Sequence, residues 1–170
     1  MDFKELADKR YSCRKFSDRR VEPELINTII ETANRAPTAV NKQPFKIFAL
    51  ESETAKNALK ETCRYTFGAE TFLVVGAKDD EGWTRKFDNR PFADVDASIV
   101  ATHIMMQLED LGLATTWVAC FDAPKLKELL PALAPYDLIA VFPIGYAADD
   151  AEPFHMHNSR KAKDDIYAVL

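Results

Sequence analysis

The sequence predicts one folded domain in which helices and strands alternate around a shared sheet. Amphipathic stretches with apolar residues at helical spacing are interleaved with short apolar, β-branched runs such as TFLVVGAK, Thr71 to Lys78. At 170 residues the chain can bury roughly 70% of the surface its unfolded form would expose, which supports a sizeable core. Hydrophobic residues at 47% and charged residues at 29% are ordinary for a globular protein and carry no bias toward disorder.

From Asp2 to Lys9 the spacing predicts a short helix. YSCRKFSDRRV, which follows, has no helical period, so Arg10 to Arg14 sit at a helix exit. The next helix is expected from near Pro23, a residue tolerated in a first turn, with Ile26, Ile29, Ile30 and Ala33 on its core face. APTAVNKQP, Ala36 to Pro44, sets two prolines among amides and hydroxyls and reads as a loop displaying polar side chains. FKIFALE reads as a strand, and a helix from an N-cap at Ser52 to Cys63 leads into the buried TFLVVGAK strand.

Between Asp79 and Phe92 a charged segment is interrupted by Trp83, Phe87 and Phe92. A mobile lid and an aromatic-anchored surface loop fit that pattern equally well. The longest helix is expected from about Asp94 to Leu111, with Ile99, Val100, His103, Met106 and Leu111 apolar or amphipathic and Gly112 as its C-cap. ATTWVACF is expected as a strand, APKLKELL after Asp122 as a short capped helix, and DLIAVFPIGY as the strand that closes the sheet. The tail from Ala147 to Leu170 is polar but ends on the apolar DDIYAVL, a pattern that fits packing on a partner subunit.

A net charge of −5 argues against broad nucleic-acid binding, which needs clustered cations, so any anion site must be local. MDFKELADKR lacks an apolar signal core, and no apolar run approaches the roughly 18 to 20 residues that span a bilayer. A cytoplasmic protein with no membrane partner is the expectation. Cys13, Cys63 and Cys120 are odd in number and widely spaced, which fits reduced thiols better than a disulfide framework or zinc site. Cys13 reads as a small filler in a tight loop rather than a reactive thiol.

Two constellations could carry chemistry. Alternate residues of an extended segment point the same way, so Arg10, Ser12 and Arg14 can converge two guanidiniums and a hydroxyl on one anion; solvated surface charge is the alternative. Asn41 and Gln43, ahead of a strand and downstream of Pro37 and Thr38, offer carboxamides that donate and accept at once. That suits the edge of a uracil-like ring, and an ordinary turn is the alternative. GxGxxG after a strand, GxxxxGK[ST], HExxH and GxSxG are all absent, which removes support for dinucleotide-fold, P-loop, metalloprotease and serine-hydrolase readings. His155 and His157 read as solvated loop side chains rather than metal ligands.

Together these residues resemble the nitroreductase family of FMN-dependent NAD(P)H oxidoreductases, in its short form. The resemblance rests on Arg10-x-Ser12-x-Arg14, PTAVNKQP, DVDASIV followed by EDLGLATTWV, FPIGY, and the basic SRK around Arg160. Each motif is weak, and their order and spacing are specific. The resemblance implies an α+β fold, a central mostly antiparallel sheet flanked by helices, in an intertwined homodimer whose tail, 147–170, packs on the partner. It implies FMN at the subunit interface, with Arg10, Ser12, Arg14 and Arg160 at the phosphate and ribityl end. Pro37 and Thr38 would approach the ring from the partner chain, Asn41 and Gln43 would meet its polar edge, and the backbone of Ile144 and Gly145 would lie near flavin N5. Ala39, Ala114 and Ala119 depart from the family pattern, and the long helical insertion of larger members is missing.

The activity so implied is ping-pong hydride transfer from NAD(P)H through flavin N5 to a nitroaromatic, quinone or similar flat acceptor, with no protein acid–base dyad required. Other flavin chemistry on the same scaffold, reductive dehalogenation or flavin fragmentation, and a non-catalytic flavin-binding module are the competing expectations.

Overall fold

The computed structural model describes residues 2–170. The first helix, α1 (Phe3–Lys9), starts on a reciprocal cap: Asp2 accepts from the Glu5 amide at 2.9 Å while the Glu5 carboxyl accepts from the Asp2 amide at 3.2 Å. An extended segment then leads to α2 (Pro23–Ala33), which opens on the expected proline and buries Ile29 and Ala33. Strand β1 (Phe45–Ala49) is followed by α3 (Glu53–Thr62), capped by Ser52 through the Ala55 amide at 3.2 Å, and by β2 (Thr71–Ala77).

The charged segment is a small hairpin of β3 (Thr84–Arg85) and β4 (Arg90–Pro91), with Asn89 at φ 55° in its turn. After it come α4 (Ala93–Asp110), β5 (Ala114–Thr115), α5 (Ala123–Leu129), β6 (Asp137–Gly145) and a one-turn α6 (Lys163–Ile166) in the tail. Helix α4 ends as expected at Gly112, whose φ of 73° lets the Leu113 amide reach back to the Leu108 carbonyl at 2.8 Å and the Gly112 amide to Glu109 at 3.0 Å.

The main sheet runs β1-β2-β6-β5 and each neighbouring pair is antiparallel. Alternation along β2 sends Leu73, Val75 and Ala77 to the face covered by α2 and α4, and Phe72 and Val74 to the face covered by α3 and α5. Both faces are therefore dry, which is why β2 reads as a continuous apolar run rather than an alternating one. Each fully buried Leu, Val or Phe there contributes about 1.5–3 kcal/mol relative to exposure. A bulge opposite Val75 and Gly76 leaves Ile139 without a partner, so the adjacent Ile139 and Ala140 both serve the α2/α4 core.

The expected ATTWVACF strand needs correction. Regular pairing stops after Thr115, and only an isolated bridge from Val118 to Val141 continues it. The place beside Thr115 is taken by the N-terminal segment, through a parallel bridge from Ser12. Among the described residues no helix is long and apolar enough to cross a membrane, and all three cysteines are free thiols.

Candidate functional site

The segment after α1 is held extended by sheet contacts on both sides. The Cys13 amide donates to the Thr115 carbonyl at 2.9 Å, the Ser17 amide to Tyr146 at 2.8 Å, and the Ala148 amide to Lys15 at 3.1 Å. Extended backbone alternates its side chains, and Cys13 is fully buried while Ser12 is half-exposed and Arg14 exposed. Cys13 thus faces the interior as a small filler, its Sγ donating to the Lys15 carbonyl at 3.2 Å. Gly145 is part of this fit: a Cβ there would stand 3.0 Å from the Phe16 ring, so the bare backbone lets the segment lie against β6. Beside Cys13, burial above all, with Cys13 and Glu109 adding to it, pushes the Tyr11 hydroxyl up to about 12.

Arg10, at the C-cap of α1, reaches toward α4 with Nη1 3.9 Å from the Met105 sulfur. It lines an open groove of about 690 Å³ shared with Phe3, Thr32, His103, Met106 and Asp110. Arg14 points toward the tail, its guanidinium 5.3 Å from the centre of the Phe154 ring and Nη1 3.3 Å from the Ser12 carbonyl. The tail folds back here, since the His157 ring meets Tyr11 edge-on at 6.4 Å and Arg160 donates to the His157 and Ser159 carbonyls. The structure therefore brings the Arg160 stretch to the Tyr11–Arg14 segment, while Arg10 and Arg14 lie on one strand edge with their heads aimed at different neighbours. Arg10, Arg14 and Arg160 all contact neutral groups; among the described residues none forms a carboxylate pair, unlike Arg19 with Glu22 or Arg85 with Asp88.

The loop between α2 and β1 is wound tightly between Pro37 and Pro44. Thr38 closes it twice, its carbonyl accepting from the Asn41 amide at 3.0 Å and its hydroxyl from the Gln43 amide at 3.0 Å. Closure places three non-glycine residues at positive φ: Val40 at 47°, Asn41 at 55° and Gln43 at 53°. Asn tolerates that region, but a β-branched valine there is an outlier, and Val40 is 72% exposed, so no packing compensates. Asn41 and Gln43 are exposed, with Gln43 Nε2 donating to the Asn41 carbonyl at 3.2 Å. Pro37 is exposed and Thr38 half-buried beside them.

The two constellations sit at opposite ends of α4. The loop is tied to Asp96 in its first turn and Arg10 to Met105 in its second half, a separation of about 14 Å at roughly 1.5 Å rise per residue. Ile144 and Gly145 are buried in β6 beside the basic segment, with Ile144 paired to Thr71 and to Thr115, the residue that also bridges Ser12, and Gly145 paired to Ala114. They form one wall of a cavity of about 540 Å³ under Phe16, shared with Arg19, Lys56 and Glu70.

Of the three aromatics expected to punctuate the charged segment, Trp83 and Phe92 stack edge-to-face at 5.2 Å and anchor the hairpin, whereas Phe87 at its tip is 98% exposed. The hairpin adjoins the loop, where Lys42 Nζ donates to the Gly82 carbonyl at 3.1 Å. Sequence reasoning missed Asp96; an acid on the face of α4 that also carries Ala93, Ala97 and Val100 was its signal. It also missed the knot of Tyr146, Glu22 and Arg19, in which the Tyr146 hydroxyl donates to Glu22 at 2.6 Å and the Arg19 guanidinium lies 3.7 Å over the Tyr146 ring. No local spacing announces that knot.

Comparison with known proteins agrees with this architecture. A nitroreductase family protein from Clostridium difficile 630 superposes with a TM-score of 0.90 at 33% identity, covering 99% of this chain and 98% of that one. A chain described as an FMN-dependent nitroreductase from Clostridium difficile R20291 shares the fold at a TM-score of 0.71 and 23% identity, covering 88% and 90%. By sequence, the chain is 24% identical to a NADH dehydrogenase of Thermus thermophilus, covering 91% of each, and 23% identical to an iodotyrosine deiodinase of Thermotoga neapolitana, covering 91% and 92%. The nitroreductase family model matches residues 7–67 and 60–146, which takes in the basic segment, the strained loop, α4 and all four strands of the main sheet, and the chain belongs to the nitroreductase family.

Proposed function

We propose that the protein is an FMN-dependent oxidoreductase that draws reducing equivalents from NAD(P)H and delivers them to a small nitroaromatic, quinone or similar flat acceptor, working as a homodimer. The observation that carries this reading is that the folded-back tail brings the Arg160 stretch to the segment bearing Arg10, Ser12 and Arg14, with none of these three arginines paired to a carboxylate among the described residues, in a chain of net charge −5. A phosphate dianion fits that donor set: guanidinium forks match its oxygens, and Ser12 adds a hydroxyl between them.

Two copies related by a two-fold axis, with their α4 helices antiparallel, would bring the loop end of one helix to the Arg10 end of the other. Pro37, Thr38, Asn41 and Gln43 of one chain then face the basic segment of the partner, and both chains line each site. The exposed apolar residues of the tail, among them Phe154, Met156, Ile166, Tyr167 and Val169, support a wrapping role against that partner. Asn41 and Gln43 orient the polar edge of the ring by donating and accepting together. The backbone of Ile144 and Gly145, on the sheet floor beside Phe16, lies near flavin N5 in this reading. FMN held by these residues would supply two-electron hydride chemistry between reduced nicotinamide and the acceptor.

The test is direct. Purified protein is expected to be yellow and to oxidise NAD(P)H with a nitroaromatic acceptor; a colourless protein that FMN cannot reconstitute sinks the reading. The likeness to an iodotyrosine deiodinase favours a second reading, reductive dehalogenation by the same site. Anaerobic turnover of iodotyrosine beside a nitroaromatic, measured as iodide release and substrate loss, separates the two.

A further inference from the structure

Among the described residues, one buried side-chain oxygen accepts no hydrogen bond, and it belongs to Asp96. Asp96 is 2% exposed in the first turn of α4; its Oδ1 accepts from the Ala39 amide at 2.8 Å, and its Oδ2 has no partner. Native proteins rarely leave a buried acceptor unmet, and exceptions gather where geometry serves a site.

Ala39 opens the turn that carries Val40, Asn41 and Gln43 at positive φ. Most hydrogen bonds inside the turn close it on itself, through Thr38 and Ala39. They fix its shape but not its place on the protein. Of the ties that join the turn to α4 and the hairpin, the Lys42–Gly82 contact is exposed, and Ala39 to Asp96 is the one made to a buried side chain. An acid suits that point, because the amide dipoles at the start of α4 favour negative charge.

We propose that Asp96 is a positioning residue that pins the left-handed turn to the start of α4, so that Asn41 and Gln43 are presented in a preset geometry to the ligand they bind. This rests on the reading above that Asn41 and Gln43 meet the flavin ring. Asp96 acts through the Ala39 amide and touches no ligand itself. A loop fixed in advance loses less freedom on binding, so the effect falls on ligand retention.

The experiment compares Asp96→Ala, Asp96→Ser and Asp96→Asn with the wild type. Serine keeps a polar group at the helix start but is too short to hold the amide, whereas asparagine keeps an acceptor oxygen at the right length. Limited trypsin digestion after Lys42, read by mass spectrometry on the flavin-free protein, reports the turn independently of flavin; cleavage after Lys86 in the hairpin is the internal control. Cleavage after Lys42 is expected to rise at least tenfold in Asp96→Ala and Asp96→Ser and to stay within about threefold in Asp96→Asn. FMN retention, read by fluorescence quenching, is expected to follow the same order, with Asp96→Asn rescuing it. Far-UV circular dichroism identifies the folded variants, and Asp96→Ser carries the comparison if the alanine variant does not fold. Wild-type cleavage after Lys42 in folded Asp96→Ala or Asp96→Ser, or Asp96→Asn behaving like alanine, overturns the proposal. A freed turn with unchanged FMN retention overturns its ligand-presenting role. Wild-type protein that binds no FMN defeats the flavin reading instead, while the digestion still decides whether Asp96 pins the turn.

Discussion

The loop at Thr38–Gln43 and the segment at Arg10–Arg14 lie at opposite ends of α4 and are ordered by different means. The loop is strained, closed from within by hydrogen bonds to Thr38 and tied to α4 by a part-buried anchor to Asp96. The basic segment is unstrained and held from outside, by the Thr115 edge, by Tyr146 and Ala148, and by the tail folding back with Phe154 and His157. The contrast suits the two tasks proposed for them. A flat heterocycle needs donors and acceptors at fixed angles, which a rigid turn provides. A phosphate is nearly isotropic and can be gripped by long cationic arms that adjust on contact.

This comparison can be broken most severely at the tail. Removing residues 151–170 takes away Arg160, Phe154 and His157 together with the exposed apolar end, so the truncated chain is expected to be monomeric and to lose FMN. Light scattering after size exclusion, with the absorbance spectrum, checks this; a truncated protein that stays dimeric and yellow would show that the segment needs no outside support. Arg14→Ala is expected next in size. A hydrogen bond to a charged group is worth about 1.5–3 kcal/mol, so FMN retention should weaken by roughly 10- to 150-fold. Titration of flavin fluorescence measures it, and unchanged affinity removes Arg14 from the phosphate site.

Gly145→Ala asks whether β6 seats the basic segment. Its new methyl would stand 3.0 Å from the Phe16 ring, forcing the ring or the strand to give way, at a cost of about 1–3 kcal/mol. Thermal unfolding should show a lowered Tm, and FMN affinity should fall with it; an unshifted Tm would mean the segment is free to move off the sheet.

The smallest effect concerns the knot where this segment enters α2. The Tyr146 hydroxyl first, and then Arg19, hold the Glu22 carboxyl down to about 2 from its ordinary 4.5. Because the folded value is depressed, this stabilisation is complete above about pH 4.5 and is lost as pH falls toward 2. Tyr146→Phe removes the larger cause, so Glu22 should titrate closer to 4.5 and acid unfolding should begin at a higher pH. Carboxyl NMR titration of Glu22 follows it, and an unmoved Glu22 would contradict the assigned cause.

Much of this architecture was legible in the chain because its signals are local. Pro23 at a helix start, Ser52 and Asp122 as caps, Gly112 as a stop, and the apolar run of β2 each act within a few residues, and each stands where expected. The hairpin at Thr84–Pro91 and the shortening of β5 were not legible. The first depends on an Asn89 turn inside a charged stretch, and the second on pairing with β6 that lapses after Thr115 and returns only as a bridge from Val118 to Val141. The candidate site divides in the same way: the residue types at Arg10, Ser12, Arg14, Asn41, Gln43 and Arg160 were evident, but their companions Asp96, Met105 and Phe154 were not.

Local periodicity and capping were enough for most of the succession of elements, and motif order for the resemblance to the family and the residues proposed to grip an anion or a ring edge. Folding alone decided that the tail returns to the segment at Tyr11–Arg14, that the loop at Val40–Gln43 is strained and anchored on Asp96, and that the two ends of the site stand apart along α4. Those facts rest on contacts between residues far apart in the chain, and such contacts are set by how the layers pack rather than by any spacing along the sequence.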